Sequence, residues 1–259
     1  GTSVTSIDSG QIYKELSELS NHADLDIHFD FSILTGDHNS AVTAVTNNPY
    51  KTPSPGFAAN NIDAASGTPT LDRESLSRAC VDFPNTADND HFLQMADAYT
   101  TTGKPMTFFI VFQWNAIKVS TLVANAHNGY NDFIQLGTGG RGRIAFAGEA
   151  STIFNTSTTN GGSIAYVPTV DTPTVYIIRR DESAVSQFWA DNGLFVGQTG
   201  VMPGETFTLG AIGGTTLGTN PDWNGKICEV GLYDADIGDA SISILLESLC
   251  TKWGIDRRE

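Results

Sequence analysis

The feature that most constrains this chain is a succession of short apolar runs separated by turn residues at intervals of about 8 to 12 residues. From Arg78 onward they read RACVDFP, HFLQMA, MTFFIVFQW, STLVANA, NDFIQLG and RIAFAG, then TVYIIRRD, AVSQFWA, LFVGQTG, ETFTLGAIGG and GKICEVGLYD. Runs this short are strand-sized, and no helical pattern interrupts them. The 40% hydrophobic content supplies a sizeable core, and the 26 glycines and 10 prolines fall between the runs as turn formers. The prediction is an all-β chain of antiparallel strands. Ahead of this series, LDIHFDFS sets Leu25, Ile27, Phe29 and Phe31 against Asp24, Asp26, His28 and Asp30. That two-residue period predicts a strand with one core face and one wet face, and the polar stripe reads as an exposed face and not as a metal site.

Two helices frame the strands. In QIYKELSELSNHA, residues Ile12, Leu16 and Leu19 recur at helical spacing, which predicts a short helix in an arm of residues 1–23. So few turns are marginal in water, so this helix is expected to lean on the domain or on a second copy, making a homo-oligomer. Near the other end Asp239 is placed to cap a helix whose stripe is Ile242, Leu245, Leu246 and Leu249, closing at Gly254. Residues 36–75 are rich in Asn, Ser, Thr, Pro and Gly and read as a loop-dominated excursion. Asp191, Asn192 and Gly193 predict a tight hairpin between two strands. No linker divides residues 24–259, which are read as one domain.

The formal net charge is -15, with no basic stripe, so nucleic acid and anionic membranes are poor partners. No apolar run approaches the ~20 residues of a membrane span, so membrane insertion is not expected. The chain opens at Gly1 without a methionine, which fits removal of a leader, although GTSVTSIDSG itself lacks the basic and apolar regions of a signal peptide. Cys80, Cys228 and Cys250 are widely spaced, with no CxxC pair, and read as buried free thiols.

Four stretches carry a family resemblance: FLQMADAYTTTGKPMTFFIVFQW, TVYIIRRDESAVSQFWADNGLFVG, NGKICEVGLYDADIGD and the ending SISILLESLCTKWGI. Together they resemble the concanavalin A-like lectin/glucanase superfamily, in the laminin G-like branch found in bacterial surface proteins and phage virion proteins. The resemblance implies an antiparallel β-sandwich jelly roll, with a short N-terminal helix and a C-terminal helix added here. It also implies ligands at loop edges or on a concave sheet. Because this superfamily holds glycosidases, lyases, lectins and inert modules, function has to be sought in the residues.

A retaining glucanase needs two carboxylates about 5 Å apart, typically on a Glu-x-Asp-x-x-Glu strand, and no such run occurs. Glu229, Asp234 and Asp236 are the nearest cluster and read as solvated turn carboxylates. The lyase motifs of the fold are missing, and His127 and Tyr130 fall in the loop NAHNGYND, where polar residues need no catalytic reason. GTGGRG, with Gly137, Gly139 and Gly142, matches a dinucleotide fingerprint but precedes a strand and so reads as a hairpin turn. Calcium is common in the superfamily; Asp88 and Asp90, or Asp234, Asp236 and Asp239, offer oxygens without forming a complete motif, and no cofactor is indicated. Trp114 and Trp253 are expected in the core, Trp189 on either core or groove. The candidate ligand contacts are Tyr130, Asn131, Asp132 and Trp223, with packing the commoner role for such aromatics. Asn155-Thr156-Ser157 is a glycosylation sequon only on a eukaryotic secretory route. The expectation is a non-catalytic surface-binding or structural module, in a virion or extracellular. Its expected partners are a cell-surface glycan or virion proteins, in tail fibre receptor binding or capsid decoration. A secreted carbohydrate-active enzyme, or its binding module, is the alternative.

Overall fold

The computed structural model describes residues 25–45, 62–67, 69–84, 91–116, 120–126, 129–136, 142–146, 149–154, 169–190, 194–198, 206–214 and 223–256. The arm helix expected around Ile12, Leu16 and Leu19 lies outside them, as do the DNG turn, His127, Asp88, Asp90, the sequon and residues 137–141 of GTGGRG. The strands are β1 (Leu25–Asp30), β2 (Ile62–Ser66), β3 (Thr70–Asp72), β4 (Cys80–Phe83), β5 (Phe92–Thr100), β6 (Met106–Trp114), β7 (Ser120–Ala126) and β8 (Gly129–Leu136). They continue with β9 (Gly142–Phe146), β10 (Glu149–Phe154), β11 (Pro173–Arg180), β12 (Ser186–Ala190), β13 (Leu194–Gln198), β14 (Thr208–Ile212) and β15 (Gly225–Tyr233), before helix α1 (Gly238–Trp253). They form two antiparallel sheets. The first runs β13-β12-β11-β6-β15-β4-β3, with β1 also beside β15; the second runs β10-β9-β8-β7-β14-β5-β2. This is the predicted β-sandwich of jelly-roll type, and β8 and β9 pair antiparallel across GTGGRG, as do β12 and β13 across DNG.

The sandwich has a third layer. In β6, Met106, Phe108, Ile110, Phe112 and Trp114 point into the core between the sheets, while Phe109 and Val111 point the other way, into a cluster roofed by α1. Both faces of this strand are therefore covered, which is why MTFFIVFQW is apolar throughout and does not alternate. The helix lays down the predicted stripe, Ile242, Leu245, Leu246 and Leu249, and ends where Gly254 turns left-handed at φ 65 with its N–H on the Cys250 carbonyl. Asp239 does not cap it. Asp236 accepts the Gly238 N–H at 2.9 Å, and Asp239 turns instead to the Arg179 guanidinium at 2.5 Å. The stretch read as a loop-dominated excursion contains β2 and β3, and Val42, Val45 and Leu71 enter the inter-sheet core; β10 was likewise without a sequence signal. Gly231 is required by packing: a Cβ there would stand 2.1 Å from Phe109 Cε1.

The largest departure from expectation is the polar face of β1. His28 and Asp30 are buried, not wet, because β1 joins the sheet beside β15 and α1 covers that side; Asp26, at a register shift between Leu25 and Ile27, is buried beside the Tyr99 phenol. A β-bulge prepares the place. Ile227 stands opposite Phe112 of β6, but Glu229 stands opposite Val111, so Cys228 is an extra residue. The strand thus aims Glu229 toward the helix instead of into the inter-sheet core. Glu229 is not a solvated turn carboxylate: it is fully enclosed, accepting from His28 Nε2 at 2.7 Å, Lys252 Nζ at 2.7 Å and the Trp253 indole N–H at 2.9 Å. Lys252 also reaches Asp30 at 2.7 Å, and Asp30 accepts the Ser32 N–H and hydroxyl. Burial alone would raise the Glu229 pKa, but the Lys252 ammonium and the His28 hydrogen bond outweigh it and hold the carboxyl at about 2. Burial pushes Lys252 down, and Glu229 and Asp30 carry it above its ordinary value.

Removing one partner of such a cluster strands a buried charge, which costs about 3–5 kcal/mol. Lys252→Met should lower stability by that order in a denaturant titration at neutral pH. Because Glu229 is held at about 2 against an ordinary 4.5, its contribution is complete above pH 4.5 and is lost as the pH falls toward 2. Asp72, kept at about 2 against partial burial by Ser75 and the backbone N–H of Glu74, shares that window. Glu229→Gln should therefore shrink, without abolishing, the loss of stability between pH 4.5 and 2; an unaltered acid limb would contradict the assignment. Gly231→Ala should cost about 1–3 kcal/mol from overpacking against Phe109. Gly103→Ala, whose Cβ would meet only Pro105 Cδ at 3.6 Å, should leave the midpoint nearly unchanged.

Candidate functional site

Three connections emerge together at one end of the sandwich, and the register explains why. Met106 opens β6 opposite Arg180, the last residue of β11, and Thr107 stands opposite Tyr233, the last residue of β15. The β5–β6 loop (101–105), the β11–β12 turn (181–185) and the turn after β15 (234–237) are therefore neighbours. They enclose a cleft of about 460 Å³ lined by Thr102, Gly103, Lys104, Pro105, Glu182 and Asp234.

Each wall is fixed by its own hydrogen bonds. Asp234 accepts the Thr102 N–H on both oxygens, at 2.9 and 3.1 Å, and the Tyr99 hydroxyl at 3.4 Å, which ties the first loop to the third. Burial first, then the Asp26 and Asp234 carboxylates, keep that phenol protonated by raising its pKa. Thr107 donates its hydroxyl to the Ala235 carbonyl at 3.0 Å and accepts the Ile237 N–H at 3.3 Å. Asp181 closes the middle turn by accepting the Val185 N–H at 3.0 Å, with Ala184 at a left-handed φ of 62. The lining thus offers an ammonium, an exposed carboxylate, a hydroxyl and a carboxylate already engaged with backbone. These groups can exchange hydrogen bonds with a polar ligand.

The sequence-predicted contacts fall as follows. Asp132 is buried in β8, and its carboxylate accepts the Thr208 N–H at 3.1 Å, which gives it a structural task. Thr208 pairs with Thr100 at the end of β5, so this part of β8 sits at the same end of the molecule as the cleft. Tyr130 and Asn131 precede Asp132 in that strand, and their side chains lie outside the described residues. Trp223 is fully enclosed, stacked on Trp114 at 6.4 Å and edge-on to Phe112 at 5.2 Å. It offers no surface to a ligand and is corrected to a core residue. Trp114 and Trp253 are core as expected, and half-buried Trp189 packs on the helix-side cluster with the Arg179 guanidinium 5.5 Å above its ring. Lys104, Glu182 and Thr102 carried no motif, and only the folded register brings them together.

The acidic turn does not fit a calcium ion. Asp234 is engaged with the Thr102 backbone, while Asp236 and Asp239 face the Arg179 guanidinium at 3.4 and 2.5 Å, so an arginine already neutralises the pair. Among the described residues, no group of three or more His, Cys, Asp or Glu is arranged to hold a metal. Among them, too, no helix is long and apolar enough to cross a membrane.

No family model matches the sequence, and no curated protein matches it either. Solved structures do resemble it. Domain 4 of AbnA, an extracellular arabinanase from Geobacillus stearothermophilus solved with arabinotriose, superposes with a TM-score of 0.55 at 12% identity, over 86% of this chain and 98% of that one. The binding domain of Paraclostridial Mosquitocidal Protein 1 gives 0.56 at 10% identity, over 88% of this chain and 53% of that one. The binding domain of botulinum neurotoxin serotype D gives 0.56 at 7% identity, over 91% and 55%. The chain thus spans about half the length of the two toxin domains and nearly all of the arabinanase domain. At these identities the likeness is one of fold: this chain has the β-sandwich of these domains.

Proposed function

We propose that this chain is a non-catalytic glycan-binding module that takes a hydroxyl-rich saccharide in the cleft between residues 102–105, Glu182 and Asp234. The observation that carries the reading is the cleft itself, a solvent-open pocket walled by an ammonium, carboxylates and a hydroxyl on three connections, each held by its own hydrogen bonds. Sugar hydroxyls both donate and accept, so a lining of mixed character suits them, and pre-braced loops lower the ordering cost of binding. Glu229, whose carboxyl Lys252 and His28 hold at about 2, is sealed from solvent and cannot meet a substrate. The arabinanase domain, solved with a trisaccharide and matched over nearly its full length, supports a saccharide as the ligand.

In this proposal the module works outside the cell, on the exterior of a phage virion, in receptor binding or capsid decoration. The net charge of -15 suits a surface that avoids nucleic acid and anionic membranes. A second reading, a carbohydrate-binding module of a secreted enzyme, is favoured by the match across 98% of the arabinanase domain. Both readings share one binding claim and differ in what the module is attached to. Tyr130 and Asn131, on the strand beside the cleft end, are retained as proposed contacts.

A glycan array should show selective binding in the micromolar range, weakened at least tenfold, or about 1.4 kcal/mol, by Lys104→Ala and by Glu182→Ala. A denaturant midpoint measured on each variant separates loss of contact, which leaves it in place, from loss of fold, which lowers it. A flat array would refute glycan recognition, and release of reducing ends from a polysaccharide panel would refute the non-catalytic assignment.

A further inference from the structure

The cysteines at 80, 228 and 250 meet in one buried cluster beneath α1. Two of them are closer than that. In the β4–β15 ladder Lys226 stands opposite Asp82 and Ile227 opposite Val81, so the next step along both strands sets Cys228 against Cys80. Both side chains are fully enclosed on the helix-facing side, where the Cys80 thiol also donates to the Asp72 carbonyl at 3.9 Å. Directly opposed residues of an antiparallel pair have Cα atoms about 4.5 to 5.5 Å apart. A disulfide needs about 4.4 to 6.8 Å. Cys228 is also the extra residue of the β15 bulge, so its backbone has no partner position in β6 and can adjust without breaking that ladder. Cys250 reaches the same cluster from the helix, on a different element.

We infer that Cys80 and Cys228 are a cross-strand disulfide pair, joined when the chain folds in the presence of a small-molecule disulfide, with Cys250 remaining reduced. The exchange balances in two steps. One cysteine thiolate attacks a sulfur of the small disulfide, expelling one thiol and leaving a mixed disulfide; the second cysteine then attacks the protein-bound sulfur and expels the other. Two protein sulfurs are oxidised, the small disulfide is reduced to two thiols, and one protein S–S bond is formed. In the finished fold both thiols are sealed, so the bond forms while β4 and β15 are still open to solvent. The cross-link would tie the first half of the sandwich to the strand that carries the Glu229 cluster. It does not depend on the ligand reading, and neither failure implies the other.

The test is to refold the full chain in a mixture of reduced and oxidised glutathione, alkylate it under denaturing conditions, and map the peptides by mass spectrometry. Before alkylation the expected product is two hydrogens lighter than the reduced chain; after it, Cys80 and Cys228 lie in one linked peptide and Cys250 carries the single alkyl group. Its denaturant midpoint should lie above that of the reduced protein. Cys250→Ser should give the same linked peptide, and Cys228→Ser should give none. Three alkylated cysteines in correctly refolded protein, or a bond that includes Cys250, would overturn the inference.

Discussion

Lys252, held between Glu229 and Asp30, is the contact on which the rest of this architecture depends. It joins the first described strand, the last strand and the closing helix through a single ammonium. Without a cation there, β1 and β15 would have to present Asp30, His28 and Glu229 to an apolar roof, and β1 could not lie beside β15 beneath the helix. With it, each acidic oxygen finds a donor, and Trp253 adds its indole N–H to the same carboxylate. A buried ion pair is weak evidence for net stability, because the desolvation of its members offsets much of the attraction. Its stronger effect is on arrangement: one register of β1 and one position of α1 satisfy all four groups, and a slip by a residue would leave a charge unpaired.

The bulge at Cys228 is the geometrical partner of that cluster. Regular alternation from Ile227 would turn Glu229 into the core between the sheets, away from Lys252. The extra residue returns Val230 and Leu232 to that core and leaves Glu229, Gly231 and Tyr233 on the helix side. Gly231 then leaves room for the Phe109 ring. Two carboxylates five positions apart consequently meet opposite fates. Glu229 becomes an internal acceptor, and Asp234, just past the strand end, braces the loops of an open cleft. Chemistry with an external ligand belongs to the second environment, since only there do polar groups remain in contact with water.

Much of the fold was legible in the residues. Twelve of the strands correspond to apolar runs picked out by period and punctuation, and the closing helix faces and stops much as its stripe and Gly254 imply. The strands that were missed, β2, β3 and β10, lie in polar sequence, where pairing and not side-chain pattern makes the strand. The polar stripe of β1 was misread for a related reason: alternation shows that two faces differ, but not what covers the second one. A histidine between aspartates looks the same on a solvated strand and under a helix that brings a lysine.

The candidate site was the least legible part. Trp223 was singled out because it follows a polar loop, yet it stacks on Trp114; Asp132 was singled out within a polar loop, yet it serves Thr208. Lys104, Glu182 and Asp234 belong to three separate connections and share no spacing, so no local signal could assemble them. What the sequence determined by itself was the class of fold, because short alternating runs and turn residues act over a few positions of chain. What only the tertiary structure decided was which polar groups are buried and which line a cleft, because that depends on elements far apart in sequence arriving at the same place.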